Sequence, residues 1–157
     1  MQITVRPASR DELERVNELR RQVNDVHVSG RPDIFRPGFL PELRDHVYEQ
    51  FDSGEYEILV ARSDGDIAGF AVTTVVDKPL SPYNNARSFY RVEEFGVDEA
   101  YRRNGVASAL IAYIRDDAKA KGLNRIELDM WEFNEGALAF YEAAGFTTYR
   151  RYMELNV

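Results

Sequence analysis

Three apolar, β-branched runs follow one another with no helical pattern between them: Tyr56 to Arg62, Ile67 to Val76 and Ser88 to Val97. Ser63-Asp64-Gly65-Asp66 joins the first two as a hairpin turn. A polar, proline-broken stretch from Asp77 to Arg87 leads into the third. Successive strands of this kind predict an antiparallel meander. The pattern then alternates: a helix from about Gly105 to Lys121, a strand from Arg125 to Met130, a helix from Asn134 to Ala144 and a final strand from Thr147 to Leu155. Upstream, Gln2 to Arg6 reads as a short strand, and Ser9 with Glu12 forms a capping box that opens a helix. Leu13, Val16, Leu19, Val23 and Val26 recur at gaps of three and four, so one face of that helix is buried, and it should fail by Gly30-Arg31-Pro32. Ser29 to Pro41 reads as an ordered loop, and a second short helix covers Pro41 to Phe51 with proline in its first turn. The architecture that accommodates all of this is α/β (α+β): a mixed, mostly antiparallel sheet flanked by helices on both faces.

With 157 residues, one core is the default, and residues 1–157 are expected to form a single domain. A net charge of -7 speaks against nucleic acid as a partner, because nonspecific binding to phosphate backbones draws on many Lys and Arg contacts. A cationic acceptor is more congenial to such a chain. There is no cysteine, which removes thiolate metal sites and a cysteine acyl-enzyme. His27 and His46 are too isolated to suggest a metal; they read as helix-surface or loop residues, with His27 able to line a pocket through the loop that follows it. No apolar run approaches the length of a membrane span and the N-terminus lacks a signal-peptide core, so no membrane partner is expected and the cytoplasm is the expected compartment.

The chemistry concentrates at the end of the meander, where Val97-Asp98-Glu99-Ala100-Tyr101-Arg102-Arg103-Asn104-Gly105-Val106-Ala107-Ser108 takes a strand through a basic turn into a helix. The first amides of a helix are unpaired and its N-terminus carries partial positive charge, which suits an anion. Gly105 and the small Ala107 permit close approach, and the guanidinium groups of Arg102 and Arg103 can pair with further phosphate oxygens. On these residues alone, a solvated helix cap and a phosphate site both remain open.

The turn resembles the signature of the GNAT superfamily of N-acetyltransferases, Arg or Gln followed by x-x-Gly-x-Gly/Ala, with Arg102, Gly105 and Ala107 at its three positions. A second stretch, Asn134 to Phe146, is similar to the family's Asn-x-x-Ala followed by Tyr-x-x-x-Gly-Phe, matching at Asn134, Ala137, Tyr141, Gly145 and Phe146. The resemblance covers nearly the whole chain. It implies that acetyl-CoA is the cosubstrate, with no metal, and that the backbone amides of Arg103, Asn104, Gly105, Val106, Ala107 and Ser108 hold its pyrophosphate. It also implies that the strand before the turn splays from its neighbour, so that main-chain groups at Phe95 and Val97 pair with the pantetheine arm. Gly96 between them suits such a departure. Asn134, two helical turns from Tyr141, is placed with the cofactor-binding residues.

The activity implied is direct transfer of an acetyl group to a primary amine of a small molecule or a protein or peptide terminus. Tyr141 is then the general acid for the leaving sulfur, while packing against the sheet is its plain structural alternative. Glu93 or Glu94 can accept the amine proton. Adjacent strand residues face opposite ways, and Glu93 is chosen because it shares parity with Phe95 and Val97, unless a bulge reverses the choice. An acyl-CoA sensor of the same fold and a phosphate-binding regulatory domain are the competing readings. The acceptor's identity, the acyl-chain preference and a homodimeric state are left open.

Overall fold

The computed structural model describes residues 2–157. Strands β1 (Ile3–Pro7), β2 (Tyr56–Ser63), β3 (Asp66–Lys78), β4 (Arg87–Val97) and β5 (Ile126–Glu127) form one sheet in that spatial order. The first three pairings are antiparallel and β4 pairs with β5 in parallel, so the expected mixed, mostly antiparallel sheet is present. Asp64 and Gly65 form the two-residue turn between β2 and β3, with Ser63 opposite Asp66. Among the described residues, no helix is long and apolar enough to cross a membrane.

Helices cover both faces. Helix α1 (Leu13–Gly30), entered through a 3-10 turn at Arg10–Glu12, and α2 (Pro41–Ser53) pack Leu13, Val16, Leu19 and Val47 onto Ile58, Val60, Phe70 and Val72. Helix α3 (Val106–Ala120) covers the opposite face, setting Val106, Leu110, Ile114 and Ala118 against Leu59, Ala61, Ala71, Tyr90 and Val92. Strand residues of alternate parity therefore feed two separate cores, as the period of two requires. Helix α4 (Glu135–Ala143) buries no residue fully and leans on the open end of the sheet.

The expected final strand from Thr147 to Leu155 is corrected: the segment forms no ladder, and β5 spans two residues where Arg125 to Met130 were expected. A strand-prone segment joins a sheet only beside an edge long enough to set its register. Here the edge offered by β5 is too short. The segment is instead held by side chains, with the Tyr149 hydroxyl donating to Glu127 (2.7 Å) and Arg31 bridging to Glu154 (2.8 Å), while Tyr152, Met153 and Leu155 stay exposed.

The capping-box carboxylate of Glu12 ties the helical layer to the sheet. Arg6 of β1 donates to it through both terminal nitrogens (2.8 and 2.9 Å), and the Ser9 amide donates at 2.9 Å. The Arg6 hydrogen bonds bring the Glu12 carboxyl down from an ordinary 4.5 to about 2. Glu127 sits equally low: burial works to raise it, but donors from Tyr149, Arg125 and Arg87 outweigh that and bring it to about 2. A carboxyl whose folded pKa is depressed contributes stability above its unfolded pKa and loses it as the pH falls through the folded value. Stability should therefore drain away between pH 4.5 and about 2. Denaturant unfolding along that range should show a shallower acid limb, and lower stability at neutral pH, for Glu12→Gln. An acid limb as steep as the parent's would remove Glu12 from the account.

Candidate active site

The ladder between β4 and β5 consists of Tyr90 opposite Ile126 and Arg91 opposite Glu127, and there it stops. From Val92 to Val97, β4 remains paired with β3 on one side only. A split therefore opens in the sheet, leaving main-chain groups of Phe95 and Val97 free on the β5 side. Side chains cross it lower down: the Phe95 ring lies 6.1 Å from Phe140 and 6.0 Å from Tyr141 of α4.

A bulge sets which side chains face which way. Val72 pairs with Glu94 and Thr73 with Val92, so Glu93 is an extra residue without an opposite number on β3. Phe95 and Val97 pack toward α3, along with Tyr90 and Val92. Glu94 and Gly96 turn toward α1, where a Cβ on Gly96 would lie 2.7 Å from Val23 and 2.8 Å from Phe70. The parity argument that grouped Glu93 with Phe95 and Val97 is thus corrected by the extra residue. The Glu93 carboxylate instead meets the Arg91 guanidinium at 3.2 Å. Glu94 is held by Arg20, a guanidinium only 1% exposed that also donates to Asn17 Oδ1 and to the Leu43 carbonyl, both at 2.7 Å. Arg20 had a signal in the sequence, since it interrupts the apolar face of α1 four residues after Val16.

Beyond Val97, Asp98 anchors the turn. It accepts from the Ala100 amide (3.0 Å), Arg15 (2.6 Å) and Gln22 (3.3 Å), and Gln22 accepts in turn from the Glu99 amide (3.0 Å). Burial works to raise the Asp98 carboxyl, yet these donors hold it below its ordinary value. Sequence reasoning did not find this clamp, because it joins residues more than seventy positions apart.

From the clamp the chain passes a 3-10 turn at Glu99–Tyr101 and enters α3 with Arg103 at φ 64° and Gly105 at φ 82°. No side chain caps the helix and its first turn holds no acidic residue. The first intrahelical donor is the Ala109 amide, bonded to the Gly105 carbonyl, so the amides of Val106, Ala107 and Ser108 point outward as orphan donors. Arg102 and Arg103 are exposed and enter no ion pair among the described residues. Open amides, two left-handed residues and two cations without ion pairs are the features that suit an anion.

On the face away from α3 lies a cleft of about 790 Å³. Tyr141 lines it together with Phe89, Trp131, Phe133 and Phe146; the residues of the basic turn do not. Cleft and turn are thus two sides of one split, bridged by the Phe95–Tyr141 contact. Burial alone pushes the Tyr141 phenol up to about 12. Asn134 lies outside the cleft lining, its Oδ1 accepting from the Ala137 amide (3.1 Å) as the helix cap. His27, expected as a helix-surface or loop residue able to line a pocket through the loop that follows, is half-buried in α1, stacked on Phe35 of that loop (4.9 Å) and edge-on to Phe133 (6.4 Å). Burial lowers its pKa. Trp131 completes the cluster 5.0 Å from Phe35, so the loop after α1 is ordered against the cleft wall.

Residues 25–146 match the model of the acetyltransferase (GNAT) family. The chain belongs to this family. Among its relatives, the ribosomal protein bS18-alanine N-acetyltransferase of Escherichia coli is 32% identical over 83 residues, covering 53% of this chain and 49% of that one. The chain spans about half the length of the curated relatives it matches. The solved structure of a tetramutant of the BH1408 protein from Bacillus halodurans superposes with a TM-score of 0.93 at 28% identity, over 98% of this chain and 99% of that one. The aminoglycoside-modifying AAC(6')-Iy in complex with a CoA bisubstrate analogue shares the fold, with a TM-score of 0.77 at 20% identity and coverage of 100% and 99%.

The GNAT turn makes a stability prediction of its own. A Cβ at Gly105 would meet nothing nearer than the Ile3 Cδ1 atom at 3.8 Å, so the cost of Gly105→Ala is conformational and should be about 1 kcal/mol. Arg103→Gly relieves a left-handed residue and should stabilise by a comparable amount. Urea midpoints of the two variants should shift in opposite directions; shifts of one sign would contradict the turn geometry.

Proposed function

We propose that this chain moves an acetyl group from acetyl-CoA directly to a primary amine of a small molecule or a peptide terminus, in the cytoplasm. The observation that carries the reading is the run of open amides at the start of α3 on one side of the β4/β5 split, with Tyr141 lining a cleft on the other. The donor set fits a pyrophosphate: amides from Arg103 to Ser108 hold its oxygens, and Arg102 and Arg103 neutralise the charge that remains. The free edge of β4 at Phe95 and Val97 takes an amide-bearing arm as a further strand would.

In the transfer, the amine nitrogen attacks the thioester carbonyl carbon, a C–N bond forms and the C–S bond breaks with its electron pair left on sulfur. Glu93, on the bulge and in contact with the cleft-lining Arg91, accepts the ammonium proton directly or through one water. A backbone N–H of the free β4 edge near Phe95 donates to the carbonyl oxygen as it gains negative charge. Tyr141 gives its proton to the sulfur. Burial holds this phenol up at about 12, so at neutral pH it is protonated and able to donate.

Tyr141→Phe keeps the ring contacts with Phe95 and Phe146 and deletes the hydroxyl alone. Release of free coenzyme A across an amine panel should show kcat falling by about 10² to 10⁴ while acetyl-CoA affinity changes little. Unchanged turnover would leave Tyr141 a packed tyrosine. Acetyl-CoA binding by the parent chain without turnover on any amine would favour the sensor reading.

A further inference from the structure

The cleft departs from the charge of the chain that contains it. Against a net charge of -7 for the whole molecule, its lining carries six cationic side chains and five carboxylates. The cations are not scattered. Arg87, Phe89 and Arg91 occupy alternate positions on β4 before the bulge, so they share one face, and Lys78 stands directly opposite Arg87 across the β3–β4 ladder. Like charges placed opposite one another on a sheet destabilise it. Arg87 is compensated by Glu127 and stacks on Phe89 at 4.5 Å, whereas Lys78 enters no ion pair among the described residues. Arg91 holds Glu93 at 3.2 Å but reaches Asp129 only at 3.9 Å, and that carboxylate is 96% exposed and free to leave. Arg150 and Arg151 add positive charge from the C-terminal segment across the cleft.

We propose that the amine acceptor also carries an oxyanion, a carboxylate or a phosphate monoester, which docks on the stripe of Lys78, Arg87 and Arg91. The inference rests on the acetyl-transfer reading and names the acceptor class for that same cleft. Arg91 lies two residues, about 7 Å along the strand, from Glu93, and Arg87 lies six residues, about 20 Å, away. An anion on Arg91 therefore places a nearby amine within reach of Glu93, and the outer pair admits a longer acceptor. Along this stripe the extra ammonium groups of a polyamine or an aminoglycoside would meet like charge at close range. The overall acidity of the chain, which favours a cationic acceptor, is thus overridden locally.

The test uses matched acceptors on the full chain: glucosamine with glucosamine 6-phosphate, and an alanyl tripeptide with its C-terminal amide, with spermidine as the polycation. In at least one pair, kcat/KM for the anionic member should exceed that of its partner by about 10-fold or more. The pair that responds distinguishes phosphate from carboxylate. The preference should shrink with added salt, and Arg91→Gln should cut the anionic-to-neutral ratio at least about 10-fold. Ratios at or below one in both pairs, spermidine as the best acceptor, or a ratio untouched by Arg91→Gln would overturn the inference while leaving acetyl transfer intact. Should no amine turn over, acetyl transfer fails, and calorimetric affinities of the same pairs for the coenzyme A-saturated chain decide the docking claim: tighter binding of an anionic member supports it and equal binding refutes it.

Discussion

Two strands that pair at Tyr90–Ile126 and Arg91–Glu127 and then part company create the space on which the site depends. A regular parallel ladder would have satisfied the β4 edge and closed the sheet. Its early end leaves backbone groups from Val92 to Val97 unpaired on one side, and buried unpaired groups of this kind are costly unless something bonds them. The bulge at Glu93 acts at the same place, since it returns Phe95 and Val97 to the α3 face while turning Glu94 and Gly96 toward α1. The basic turn lies on one side of the split and the aromatic and cationic cleft on the other.

The turn and the strand leading into it are fixed by interactions remote in sequence. Arg15 and Gln22 of α1 hold Asp98, which sets where the chain enters the basic turn, and the buried Arg20 on the same helix holds Glu94. Helix α1 thus braces both the turn and the strand leading into it. A buried guanidinium is expensive to desolvate, so removing Glu94 would leave an uncompensated charge inside the protein. This dependence explains why α1 carries Arg20 on the face where its spacing alone would call for an apolar residue.

The meander, the hairpin at Asp64-Gly65, the α1 apolar face, the break at Gly30 and both motif helices were legible in the sequence because each rests on local periodicity or turn chemistry. The turn was legible too: Arg102, Gly105 and Ala107 stand on a strand-to-helix junction, and Asn134 caps its helix. What the sequence concealed was nonlocal. Nothing around Glu93 announces a bulge, which depends on register with β3, and the cluster of His27, Phe35, Trp131 and Phe133 joins segments about a hundred residues apart. The last segment misled in the opposite way. Its threonines and tyrosines favour a strand, but the edge that would have made it one is two residues long.

The central claim is that the amides between Arg103 and Ser108 receive the pyrophosphate of coenzyme A, so that the acyl arm runs through the split toward Tyr141. Calorimetric titration of coenzyme A into the parent chain and into Gly105→Asp tests it most directly, because the variant sets a carboxylate where phosphate oxygens must come, at a position with open space around it. The parent should bind saturably at one to one and the variant more than about 10-fold more weakly, with the fold unchanged by circular dichroism. Equal affinities in two folded proteins would contradict it.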